Sequence, residues 1–125
     1  MAEPSAHDIL LVDANADVRH CLTLLLEQKG YAVATADDAE QAVEFLRNYP
    51  HPRLVLLELE MDLPGGWQLL ASRCRDAVLS RVLSTTGRSL RCAALALGVD
   101  DVLEKPVGAD DLLAVVGRYA RASMT

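Results

Sequence analysis

No run of basic residues occurs in this sequence, and eighteen acids stand against twelve bases, a formal net charge of −6. An acidic surface disfavours non-specific contact with DNA and with anionic membranes, and a chain without a basic patch is not expected to bind nucleic acid. No apolar run approaches the eighteen or so residues that a membrane span needs. The first eight residues, Met1 to Asp8, are polar and offer no apolar core for a signal peptide, so none is expected. Cys21, Cys74 and Cys92 are few, odd in number and widely spaced, with no CxxC or Cys/His metal pattern. They read as buried or half-buried thiols of a reducing, cytoplasmic compartment.

What the chain does have is apolar residues, 51% of its 125. That length suits one domain with a sizeable core. Three of its apolar runs end in a charge. Ile9-Leu10-Leu11-Val12 runs into Asp13, Leu54-Val55-Leu56-Leu57 into Glu58, and Val102-Leu103 into Glu104, Lys105 and Pro106. Continuous short apolar runs fit strands covered on both faces, as in a parallel sheet. Parallel strands end on one edge, and an open α/β sheet has its functional crevice there. Two carboxylates and one ammonium are therefore expected to converge on one pocket.

Strand and helix patterns alternate five times. Strands are predicted at Asp8 to Val12, Ala32 to Thr35 (short, near an edge), Leu54 to Leu59, Arg81 to Ser84 and Asp101 to Glu104. A helix from Ala16 to Lys29 starts at an Asn15 cap, carries Val18, Cys21/Leu22, Leu25 and Leu26 as its apolar stripe and ends at Gly30. Asp37 with Glu40 reads as a capping-box-like start for a second helix, which carries Ala42, Val43, Phe45 and Leu46 and ends before Pro50. Further helices are predicted at 67–77, after the Pro64-Gly65-Gly66 loop, and at 89–97. The last, Ala109 to Arg121, has Leu112, Val115, Val116 and Tyr119 on one stripe. Strict alternation implies an α/β, doubly wound, five-stranded parallel sheet with five helices. One domain is expected over 1–125, with its core at about 8–121.

These elements, in this order, resemble the receiver domain of bacterial two-component response regulators, over about Asp8 to Tyr119. The matching pieces are Ile9-Leu10-Leu11-Val12-Asp13, Leu54-Val55-Leu56-Leu57-Glu58-Leu59, Gly66 eight residues after Glu58, Leu83-Ser84-Thr85-Thr86-Gly87, and Gly98 through Pro106. The resemblance implies a CheY-like fold with the flavodoxin-like strand order 2-1-3-4-5. It also implies phosphoryl transfer onto an aspartate at the end of the third strand. There Mg²⁺, held by two adjacent acids after the first strand and by the acceptor, neutralises developing charge. A Thr or Ser hydroxyl and a Lys contact the phosphoryl oxygens, and the hydroxyl shifts together with an aromatic residue on the fifth strand. Lys105 and Pro106 match the family's Lys-Pro. Lys105 is one of two lysines in the chain, with Lys29, which fits a need for a compact point charge.

Three positions depart from that pattern. Glu58 stands at the acceptor position, its carboxylate about 1.5 Å farther out than an aspartate's. A shift of that size is expected to cost in-line attack on the order of 100-fold. The longer arm also carries a permanent negative charge towards Lys105, as a residual pair or as an imitation of a phospho-aspartate. Asp13 has Ala14 as its neighbour where the resemblance implies the second acid. Asp13 and Glu58 are left as vestigial metal ligands, Asn15 and Asp17 as candidates to compensate, and no confident metal site or cofactor is assigned. Val102 stands at the fifth-strand switch position, where it has no aromatic ring to swing. Thr86 is the switch hydroxyl, with Thr85 the alternative.

The segment Leu90 to Leu97 is nearly apolar all round, and such a helix is buried or part of an interface. In the resembled family the fourth helix, fifth strand and fifth helix form the common partner face. Leu95, Val102 and Leu113 are the interface candidates for a homodimer or another partner, with Ala114 and Arg118 off the inner stripe of the last helix. Trp67, His7, His20 and His51 are expected in packing or surface roles. The expected function is an atypical receiver in phosphorelay signalling, without conventional phosphorylation or catalysis of its own, partnered by a sensor histidine kinase or a downstream effector. One alternative is a receiver phosphorylated on Asp13 or Asp62 with weak Mg²⁺ dependence. Another is an FMN-binding, flavodoxin-like electron carrier, against which the acidic loop Asp13-Ala14-Asn15-Ala16-Asp17 would repel phosphate.

Overall fold

The computed structural model describes residues 7–49, 52–58, 100–104 and 108–120, and the backbone of 81–86. Five strands, β1 (Ile9–Val12), β2 (Val33–Ala36), β3 (Leu54–Glu58), β4 (Arg81–Thr86) and β5 (Asp101–Glu104), form one sheet in the order β2-β1-β3-β4-β5. Every adjacent pair is parallel. This is the architecture that the alternating pattern implies and the strand order that the resemblance implies, with β2 at an edge. Three helices are described: α1 (Ala16–Gln28), α2 (Ala39–Asn48) and α3 (Ala109–Ala120). The helices expected at 67–77 and 89–97 lie outside the described residues. So do Cys74, Cys92, His51, Asp62, Trp67, Leu95, Lys105 and Pro106.

Side chains one residue apart on a strand point to opposite faces, and the core divides accordingly. Leu10, Val12, Val55, Leu57 and Val102 pack with Ala39 and Ala42 of α2, against which Val43, Phe45 and Leu46 also lie. Ile9, Leu11, Leu54, Leu56 and Leu103 pack with Leu26 of α1 and with Leu112, Val116 and Ala120 of α3. The apolar runs are continuous because each strand must satisfy both faces.

The helix ends are built from local bonds. Asn15 caps α1, its Oδ1 accepting from Val18 N at 3.0 Å. Gly30 follows at φ +93°, a left-handed conformation that glycine adopts without steric cost, and its N–H reaches Glu27 O at 3.0 Å. The start of α2 is one residue later than expected. Asp38 is the N-cap, accepting from Gln41 N at 2.8 Å, while Gln41 Oε1 accepts from Asp37 N at 3.2 Å. Asp37/Glu40 and Asp38/Gln41 both have capping-box spacing. The chain uses the second because Asp37 is still leaving β2.

The inner face of α1 also differs from expectation. Leu26 is fully buried and Leu22 and Leu25 half-buried, but Val18 is 41% exposed and Cys21 is exposed. Val18 and Cys21 lie at the exposed margin of the stripe, one or two turns before the buried Leu26, so the expectation of a sheltered thiol fails for Cys21. Leu26→Ala is expected to cost about 2–5 kcal/mol. Leu24→Ala, at a position 48% exposed, is expected to cost less than about 0.5 kcal/mol. Urea unfolding of the two variants measures both.

Candidate functional site

The register brings the charged ends of the strands to one edge. Val12 pairs with Leu57, Glu58 with Thr85, and Thr86 with Glu104. Asp13 and Glu58 are each the residue after a paired position, so they stand beside each other at the ends of β1 and β3. Both continue the parity of Ile9, Leu11, Leu54 and Leu56, the α1–α3 side of the sheet. Thr85 flanks Glu58 on its other side, with Thr86 one residue beyond. β4 runs two residues past its expected end, which places both threonines within the strand. Their side chains lie outside the described residues, as does Lys105, the residue after Glu104.

Among the described residues Asp13 (8% exposed) and Glu58 (6%) are the buried charged ones. Burying a carboxylate is costly unless other groups supply its hydrogen bonds; at Asp13 the Asn15 amide supplies one, and two further bonds fix the main chain of the residue. Its N–H donates to Ala36 O of β2 at 3.1 Å, its Oδ1 accepts from Asn15 N at 2.9 Å, and its main-chain O accepts from Arg19 Nη1 at 2.8 Å. Arg19 escaped the sequence reading. An arginine in the first turns of an amphipathic helix reads as solvated, and only its place six residues after a strand-ending acid hinted otherwise. Asp37, directly after β2, adds another acid to this edge. Its Oδ1 is enclosed and meets no hydrogen-bond donor.

Mg²⁺ requires near-octahedral oxygen ligation, commonly one or two carboxylates with water and phosphate. Asp13 Oδ1 accepts from Asn15 N, and Ala14 is exposed and offers no side-chain oxygen. Asn15 Oδ1 accepts from Val18 N, and Asp17 lies exposed in the first turn of α1, where its charge suits the helix dipole.

The interface candidates separate. Val102 is buried in the α2-side layer rather than displayed on a face, because β5 closes that layer next to β4. Leu113 is half-buried against the α1–α3 layer. Ala114 and Arg118 are exposed, and Arg118 Nη1 lies 3.9 Å from Asp101 Oδ2, a surface ion pair of little energetic weight. Tyr119 Oη donates to the same carboxylate oxygen at 3.3 Å. His20 is exposed, and His7 packs edge-on against Phe45 with ring centroids 5.5 Å apart, both as expected.

No helix among the described residues is long and apolar enough to cross a membrane. Residues 9–117 match the family model described as "Response regulator receiver domain". The chain is 32% identical to the phosphate regulon transcriptional regulatory protein PhoB of Klebsiella pneumoniae, over 93% of this chain and 52% of that protein. It is 31% identical to an uncharacterized 14.6 kDa protein of Leptolyngbya boryana, over 92% of this chain and 91% of that one. The chain spans about half the length of the SphR, ycf27 and PhoB proteins that it matches. The solved receiver domain of NtrX from Brucella abortus superposes with a TM-score of 0.77 at 30% identity, over 93% of this chain and all of that one. A signal receiver domain of a LuxO repressor protein from Vibrio parahaemolyticus shares the fold at a TM-score of 0.84 and 21% identity, covering 94% of this chain and 92% of that one. The parallel sheet in the order β2-β1-β3-β4-β5, the acids at its carboxyl edge and these likenesses agree: the chain belongs to the response regulator receiver domain family of two-component systems.

Proposed function

We propose that this chain is an atypical receiver: a protein-interaction module of two-component signalling that works without conventional phosphorylation, its pocket held by a standing pair of charges, Glu58 and Lys105. One observation carries the reading. Glu58, not aspartate, stands buried at the end of β3 beside Asp13, and the residue after Asp13 is Ala14.

Each departure removes a different requirement of the family's chemistry. Glutamate carries its carboxylate about 1.5 Å beyond where an aspartate's would be, and phosphoryl transfer depends on in-line alignment of the reacting oxygen. Ala14 takes away an oxygen next to Asp13 and with it the means to neutralise developing charge. Val102, aliphatic and buried, has no ring to exchange between inner and outer positions. What is left is electrostatic: a carboxylate at the end of β3 and the ammonium of Lys105, the residue that follows β5 in the sequence, would attract each other and favour one state of the pocket. The partner is a sensor histidine kinase or a downstream effector protein that reads this fixed arrangement. Asp13 makes a poor alternative acceptor, because its carboxylate is buried and already bonded to Asn15.

Two measurements test the reading. Incubation with a small phosphodonor is expected to leave the intact mass of the native chain unchanged, while the double variant Glu58→Asp/Ala14→Asp gains Mg²⁺ binding and a phosphate-sized mass. A phosphate-sized increase on the native chain overturns the proposal. Lys105→Gln is expected to destabilise by about 3 kcal/mol, the cost of leaving the buried Glu58 charge without its partner, and Glu58→Gln is also expected to destabilise. The double variant is expected to lose at least about 1 kcal/mol less than the sum, the signature of direct coupling. Strict additivity removes the pair.

A further inference from the structure

We infer that Arg19 is the positioning residue of the acidic pocket. It pulls the main-chain carbonyl of Asp13 towards α1 and so turns the Asp13 carboxylate into the cleft beside Glu58. The inference rests on the reading of that cleft as the functional site.

The bonds around Asp13 form a closed ring. Its carboxylate accepts from Asn15 N. Asn15 Oδ1 accepts from Val18 N and Asn15 O accepts from Arg19 N at 2.9 Å, so Asn15 is locked to the first turn of α1. Arg19 then returns from that turn to Asp13 O at 2.8 Å. A guanidinium–carbonyl bond of this length is charge-assisted, and the side chain is half-buried, so it is stronger than an ordinary loop contact. Asp13 N–H is meanwhile committed to β2 through Ala36 O. With its amide fixed to one neighbour and its carbonyl to another, the residue has the direction of its Cα–Cβ bond set, and the Asn15 amide then holds the carboxylate. Asn15 alone does not achieve this, because it bonds the carboxylate and leaves the peptide plane after Asp13 free to rotate. Arg19 fixes the plane.

Amide hydrogen exchange of the full chain, read by NMR residue by residue, tests the inference. Arg19→Ala is expected to accelerate exchange of the Asn15 amide about fivefold or more, the loss of one net hydrogen bond. The amides of Asp13 and Leu54, bonded to Ala36 O and Asp8 O, are expected to change less than about twofold, because the opening is local. Arg19→Lys, which keeps a cationic donor, is expected to restore most of the protection. A merely structural role would move all three amides together. Unchanged Asn15 exchange in Arg19→Ala, or no rescue by Arg19→Lys, overturns the inference. Should Arg19→Ala fail to fold, Arg19→Met, which keeps the apolar stem and has no N–H donor, carries the same comparison. In the Glu58→Asp/Ala14→Asp background, Arg19→Ala is expected to weaken Mn²⁺ binding about tenfold, as loss of an outer-shell support commonly does. Absence of Mn²⁺ binding in that background counts against the proposed function, while amide exchange in the native chain still decides the role of Arg19.

Discussion

The parallel register of β1 between β2 and β3 is the constraint on which the rest of the structure depends. Because Ile9, Leu10, Leu11 and Val12 pair residue for residue with Leu54, Val55, Leu56 and Leu57, the residue after Val12 and the residue after Leu57 must stand side by side. A slip of one residue would place every side chain on the wrong face. It would bring charge into the layer formed with α2 and separate Asp13 from Glu58. The register is held by the two-sided core, with Leu10, Val12, Val55 and Leu57 on one face and Ile9, Leu11, Leu54 and Leu56 on the other. The carboxyl edge inherits its geometry from hydrophobic packing rather than from its own charges.

At that edge electrostatics takes over from packing. Helices of a parallel α/β sheet begin where strands end, so their N-terminal dipoles face the same rim as the acids. The Asp13 carboxylate draws on this arrangement through the backbone amide of Asn15, the N-cap of α1. Its main chain is tied to β2 through Ala36 O and to α1 through Arg19, two elements fixed by the core. Glu58 ends the central strand of the sheet, and in the proposed function its charge is paired with Lys105.

The sheet was legible in the sequence because continuous apolar runs bounded by turn residues leave few alternatives. Ile9–Val12 and Leu54–Glu58 fall within one residue of where the pattern places them, and the edge position of β2 goes with its lower hydrophobicity, since β1 is equally short and lies inside the sheet. The candidate pocket was legible as far as the backbone register carries it. Side-chain phase was harder to read. In α1 the apolar stripe Val18, Cys21/Leu22, Leu25 and Leu26 is broad, and periodicity alone does not say which part of it is covered. The structure buries Leu26, half-buries Leu22 and Leu25, and leaves Val18 and Cys21 exposed. In the same way, two overlapping capping boxes at the start of α2 are equivalent in sequence and are separated only by where β2 lets go of the chain. Arg19 was invisible because its bond goes to a backbone carbonyl, and no side-chain pattern encodes an acceptor that every residue carries. Val102 is an interface candidate only through its place in the resembled family, and the structure buries it. Its burial follows instead from the face of β5 on which it falls.

Fold and chemistry are separable here for a physical reason. None of the residues that depart from the family pattern contributes a side chain to either inner layer except Val102, and there the change favours packing, because an aliphatic side chain fills the α2-side layer without needing a polar partner. Ala14 is exposed, so an acid there would gain or lose little stability. Glu58 stands one residue past the last apolar position of β3, where the sheet tolerates any side chain whose charge is met. The selection that maintains the core therefore says nothing about the rim, and a receiver can lose its acceptor while keeping every strand in register. The converse does not hold. A pocket built of neighbouring strand ends cannot survive a shift of β1 against β3. Interaction surfaces that depend only on the fold thus outlast phosphoryl chemistry, which depends on three or four side chains at one edge, and that asymmetry makes a receiver without conventional phosphorylation a physically stable outcome.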